Sequence, residues 1–162
     1  MRLGRVSGML VKNSIIRTKV TRAGMLVCDV YAECGRAHVQ ALPFVDATGR
    51  LSGRVTLKSI MELACLPDYM VATAPLLGDF LSCVDNAQAK IEEVLASEVD
   101  PYVRSLHASI GSDEPAIKAL AIMEQNDTSY LFVVDEGEYQ GIITIQGIAE
   151  EMSRIYASAA PD

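Results

Sequence analysis

Two stretches decide the architecture: residues 41–61, ALPFVDATGRLSGRVTLKSIM, and residues 130–149, YLFVVDEGEYQGIITIQGIA. In each, an apolar run ends in Asp, a turn follows, then a Gly, a second apolar run closing on Thr, and a helical start. Asp46 falls on Asp135, Gly53 on Gly141 and Thr56 on Thr144, at separations of 89, 88 and 88 residues. The second copy is therefore one residue shorter in its turn. Self-similarity at a fixed spacing constrains topology before any local propensity does.

Working outward, each copy predicts two short strands (42–45 and 54–57; 131–134 and 142–145) joined by a tight Gly-containing link, which is a β-hairpin. Gly49 supplies a turn position where positive φ is expected, and the second turn, Asp135-Glu136-Gly137-Glu138, does the same with one residue fewer. Gly53 and Gly141 stand where a strand normally wants a side chain, so each signals a bulge or a close backbone approach. Before the first hairpin, Val27, Val30, Tyr31 and Cys34 form one stripe of an amphipathic helix. Before the second, Ile117, Leu120 and Ala121 do so after Ser112, Asp113, Glu114 and Pro115. After the hairpins, Ile60, Leu63 and Ala64, then Ile148, Met152 and Ile155, fall at helical spacing. A unit of helix, strand, strand, helix occurs twice, an α+β (mixed α/β) fold. The expected division is repeat 1 over 1–66, a helical connector over 67–96 with its helix at 86–96, and repeat 2 over 97–162.

A chain of 162 residues, half of them hydrophobic, has material for a real core. Its apolar runs fall short of the ~20 residues of a membrane-spanning helix and the first residues lack the order of a secretory signal, so a soluble cytoplasmic protein is expected. Cys28, Cys34, Cys65 and Cys83 form no CxxC pair and read as buried reduced thiols. The net charge of −7 is uneven, since Arg2, Arg5, Lys12, Arg17, Lys19 and Arg22 all precede the first acidic residue, Asp29. Bulk charge argues against nucleic acid. The basic segment either meets a phosphate or offsets an acidic neighbour.

The duplicated motif of apolar run, Asp, turn, Gly, two apolar positions and Thr resembles the cystathionine-β-synthase (CBS) domain, and two in tandem resemble a stand-alone Bateman module over roughly 6–64 and 97–157. The resemblance implies a pseudo-twofold pair of repeats, each with a small sheet and two helices, with ligand clefts and a homodimer. It also implies a regulatory role on a separate partner protein, with AMP, ATP or S-adenosylmethionine as possible ligands. The family pattern places an Asp three residues after the strand-end Thr, where its carboxylate accepts from both ribose hydroxyls. Here those places hold Ser59 and Gly147. Loss of a bidentate, charge-assisted acceptor costs about 1.5–3 kcal/mol, or ten- to a hundredfold in affinity.

Carried onto this chain, the residues before the first hairpin strand line a base pocket: Gln40 and Ala41 in one copy, Ser129 and Tyr130 in the other. Ala41 leaves space, whereas Tyr130 fills the pocket or stacks on a base, which ranks the first cleft above the second. Lys58, Arg17 or Lys19 could meet a phosphate beside Ser59. Thr56 and Thr144 either face the ligand or cap the following helix. The alternative to sensing is an interaction or dimerisation scaffold whose clefts are closed by side chains, with Tyr130 buried. Enzyme chemistry is not expected: His38 and His107 have no partner at metal-ligand spacing, the chain holds no GxSxG elbow or phosphate loop, and Asp113-Glu114 reads as a helix-start pair.

Overall fold

The structure, a computed structural model, describes residues 8–64, 66, 71–72, 74–76 and 87–159. The chain divides into two compact units that interleave along the sequence: residues 106–162 are joined by 1–18, and residues 19–105 form the other. The contiguous division expected from sequence therefore differs at its edges, because the segment leading into each repeat folds with the opposite repeat. Part of the connector lies outside the described residues.

In the unit of residues 19–105, α1 (Val27–Ala37) precedes β1 (Ala41–Val45) and β2 (Leu51–Thr56), which runs directly into α2 (Leu57–Ala64); the connector contributes α3 (Ala87–Leu95). Val27, Val30 and Cys34 of the predicted stripe are buried, with Leu42, Val45, Val55 and Ile60. In the other unit, β3 (Ser109–Ile110), α4 (Ala116–Gln125), β4 (Tyr130–Asp135), β5 (Glu138–Thr144) and α5 (Ile145–Ala159) follow in order. β3 pairs parallel with β4, and β4 antiparallel with β5. Val11, Ala119, Met123, Leu131, Val133, Ile143 and Ile148 meet in its core.

Two stripes differ from expectation. Ile117 is 73% exposed and Ala121 is exposed, while Ala116, Ala119 and Met123 are buried. These are the counterparts of Val27, Val30 and Cys34, and small side chains at two of the three positions hide that face from a search for large apolar residues. After the hairpins, Ile60 and Ile148 are buried, but Leu63, Met152 and Ile155 are exposed.

Both explanations offered for Gly53 and Gly141 hold together. The ladder shifts register between Phe44 and Val45, and again between Val133 and Val134, so each hairpin carries a bulge. A β-carbon at Gly53 would also stand 2.8 Å from the Arg104 carbonyl, and one at Gly141 2.6 Å from that of Ile16. At these points the incoming segment bridges the hairpin: Arg54 and Arg104 exchange two backbone hydrogen bonds of 2.8 Å, and Ile142 and Ile16 two of 2.9 Å. The turns close as expected, with Gly49 at φ 81° and the pair Glu136 and Gly137 at 52° and 84°. Asp46 accepts from the Thr48 hydroxyl and from the backbone N–H groups of Thr48 and Arg50. Those bonds, led by that of Thr48, hold its carboxyl below the usual range. Asp135 instead accepts from the Ser112 backbone N–H at 2.9 Å, and its carboxyl is lowered likewise, first by the Ser112 side chain and then by that backbone bond.

The basic segment is in part offset locally. Lys12 pairs with Asp113 at 2.8 Å, and the Lys19 backbone N–H donates to Glu33 at 2.8 Å. Arg36 holds the buried Glu33 carboxylate with bonds of 2.9 and 2.6 Å. The Arg36 bond outweighs burial and lowers the Glu33 pKa to about 2. Burial, and then the nearby Glu33 charge, raise the Cys34 thiol to about 11, so it stays protonated. Cys28 is half-buried, and Cys65 and Cys83 lie outside the described residues.

Replacing Gly53 or Gly141 by Ala should lower stability by about 1–3 kcal/mol through overpacking. Gly35→Ala, in α1 with open space at its β-carbon, should leave it unchanged or raise it by about 0.5–1 kcal/mol. Denaturant midpoints of the three variants check the contrast. Because the Glu33 pKa is depressed on folding, its contribution is complete above the unfolded value near 4.5 and fades as pH falls toward about 2. Unfolding measured across that window should show the loss in the wild type and a weaker slope in Glu33→Gln.

Candidate functional site

The strand-end threonines act locally. The Thr56 hydroxyl accepts from the Ser59 backbone N–H at 2.9 Å, and the Thr144 hydroxyl accepts from that of Gly147 at 3.0 Å. Each caps the first turn of the next helix. The Leu57 N–H donates to the Gln40 carbonyl and the Ile145 N–H to that of Ser129, both at 3.0 Å. Gln40 and Ser129 thus tie the helix starts through their main chains. Ala41 is buried, and so is Tyr130, whose ring lies 5.6 Å from that of Phe132 in a tilted arrangement.

The two clefts are not alike at the position of the family Asp. Ser59 is buried; its hydroxyl donates to the Thr56 carbonyl at 2.9 Å and lies 3.4 Å from the Tyr102 carbonyl of the incoming segment. Gly147 offers no side chain, and a β-carbon there would stand 3.3 Å from the Thr144 hydroxyl and 3.6 Å from the Ser14 carbonyl. At Gly147 the structure has a cavity of about 290 Å³, walled on one side by residues 13–16 and on the other by Gly147, Glu150, Glu151 and Arg154 of α5. Ser14, 9% exposed, has a buried hydroxyl with no protein hydrogen-bond partner. Glu151 is buried too, and its carboxylate takes three hydrogen bonds from the Arg154 guanidinium at 2.5–2.8 Å.

This cavity lies in the repeat that sequence ranks second. Lys58 is exposed and pairs with Glu62 at 3.5 Å. Arg17 directly follows the cavity wall at Ile16, while Lys19 belongs to the other unit. Thr144 touches the site only through its cap on Gly147. Residues 13–16 escaped the sequence reading because they lie within the span expected for repeat 1 yet fold with the second hairpin. Their counterparts 101–104 lie within the span expected for repeat 2 and fold with the first hairpin, so the repeat spacing carried the signal.

Among known proteins, the model of the CBS domain family matches residues 97–154. This segment is a CBS domain. A search of curated proteins matches none. Over the whole chain the fold is that of a CBS-domain pair. The CBS domain of a CBS-domain-containing membrane protein from Sphaerobacter thermophilus is 13% identical with a TM-score of 0.64, covering 88% of this chain and 87% of its own. A CBS-domain pair solved with 5′-methylthioadenosine and S-adenosyl-L-methionine is 19% identical with a TM-score of 0.62, covering 91% and 98%. CBSX2 in complex with AMP is 17% identical with a TM-score of 0.63, covering 92% and 99%. Among the described residues no helix is long and apolar enough to cross a membrane.

Proposed function

We propose that this chain is a regulatory sensing module that takes an adenosine-containing small molecule in the cavity at Gly147 and acts on a separate partner protein. The observation that carries the reading is the cavity itself, of about 290 Å³, at the helix start where the family position holds Gly147 and so has no side chain. Ser14, on its wall, also carries a buried hydroxyl with no protein partner, a state that costs the folded chain free energy. Solved structures of the same fold with adenosine compounds bound support the ligand class. Without the family Asp in either copy, affinity rests on contacts other than a bidentate ribose clamp.

Ser14→Ala should raise the stability of the ligand-free protein by about 1 kcal/mol while weakening ligand binding. Titration calorimetry and thermal shift with adenosine, S-adenosylmethionine, AMP and ATP check both halves, since a ligand of the native state must raise the melting temperature. No stabilisation by any of them at millimolar concentration would sink the reading.

The scaffold reading has its own support in buried Tyr130 and in the exposed apolar residues Ile145, Met152, Ile155 and Tyr156 along α5. A homodimer covering that stripe would remove it from water. Sedimentation should then show a dimer for the wild type and dissociation for Met152→Glu; a monomeric wild type at micromolar concentration defeats it.

A further inference from the structure

We propose that residues 16–21 act as a strap whose anchors in the two units release together, so that freeing the chain from α1 also frees the wall of the cavity at Gly147. The chain passes from one unit to the other between Thr18 and Lys19, and residues 17–20 belong to no helix or strand. On the first side Ile16 exchanges two backbone hydrogen bonds of 2.9 Å with Ile142, and the Thr18 and Tyr139 hydroxyls lie 2.7 Å apart. Both partners stand on β5. On the second side the Lys19 N–H donates to the buried Glu33 carboxylate of α1, and the Thr21 N–H to the Pro43 carbonyl of β1, each at 2.8 Å.

The two middle anchors are neighbours in the chain. The N–H held by Glu33 lies in the peptide plane whose other end is the Cα of Thr18, and that plane turns as one body. Swinging the N–H away from Glu33 therefore turns the residue that Tyr139 holds. Loss of a single anchor also frees little backbone, because the next pins stand one or two residues away. The compensating gain in conformational entropy comes only when several residues are released at once, which makes the opening a cooperative local event. Ile16 is both an end of the strap and, with residues 13–15, part of the cavity wall. The state of α1 in one unit is thereby linked, along the chain itself, to the wall of a cavity in the other, and no ligand is needed for that link.

The test is native-state hydrogen exchange followed by NMR on the full chain. Glu33→Met removes the acceptor and should speed exchange of the Lys19 amide by about tenfold or more, with the Ile16 and Ile142 amides rising by the same factor. Tyr139→Phe deletes one hydroxyl and should speed Ile16 and Lys19 together by about threefold. The Met123 amide in α4 should keep its wild-type rate in Tyr139→Phe, which separates local release from a loss of global stability. Lys12→Gln, which breaks the exposed pair with Asp113 outside the strap, should leave all these rates unchanged. If Glu33→Met speeds Met123 as much as Lys19, because loss of the buried pair weakens the whole fold, Tyr139→Phe decides alone. A Glu33→Met effect confined to Lys19, a Lys19 rate unmoved by Tyr139→Phe, or an equal rise at Met123 in Tyr139→Phe overturns the proposal.

Discussion

The backbone approach over Gly53 and Gly141 is the constraint on which the rest of this molecule depends. At each glycine a segment from elsewhere in the chain lies against the hairpin so closely that a single β-carbon would collide with its carbonyl. The reward for leaving out that side chain is a pair of backbone hydrogen bonds at the neighbouring residue, Arg54 with Arg104 and Ile142 with Ile16. These bonds fix residues 13–16 beside the start of α5, and so determine where one wall of the cavity stands. Without the close approach, the Ser14 backbone carbonyl would have no defined place beside Gly147. A glycine in the hairpin of one repeat thus sets the geometry of a site whose other wall comes from far away in sequence.

The same device occurs in both units, yet its outcome differs by one side chain. Ser59 uses its hydroxyl to close a reciprocal cap, donating to the Thr56 carbonyl and lying 3.3 Å from the Thr56 N–H, and it reaches toward the Tyr102 carbonyl. Gly147 keeps only the backbone half of that cap, from its N–H to Thr144. What is a stabilising local bond in one repeat becomes open volume in the other. The Ser14 counterpart, Tyr102, is likewise engaged through its carbonyl. Duplication has preserved the scaffold while the two helix starts differ at this one side chain.

The sequence made the hairpins, their turns and the two bulged glycines legible because each is dictated by short-range stereochemistry: Asp caps the turn, Gly takes positive φ, and Thr ends the strand. The exchange of lead-in segments was not legible by the same means. Residues 10–16 carry no period of their own, and their partners Pro115 and Ile142 are about a hundred positions away. The face of α4 was misread for a related reason. A search for large apolar residues finds Ile117 and Leu120, whereas the buried positions are Ala116, Ala119 and Met123. Aligning the copies at 89 residues places these three on Val27, Val30 and Cys34, so the repeat held information that hydrophobicity alone did not.

Charge completes the contrast between what the repeats share and what they do. Of the two roles open to the basic N-terminal segment, meeting a phosphate or offsetting an acidic neighbour, the structure shows the second in part: Lys12 pairs with Asp113, and the Lys19 backbone supports Glu33 together with Arg36. Glu33 and Glu151 are both buried, and each is held by an Arg three residues on along its own helix. In α1 that pairing is purely structural, tying the incoming chain to the helix. In α5 it stands on a cavity wall, where Nε and Nη2 of the guanidinium satisfy the buried carboxylate and the exposed edge of the same group keeps further donors. The same pairing three residues apart therefore serves packing in one repeat and lines a pocket in the other.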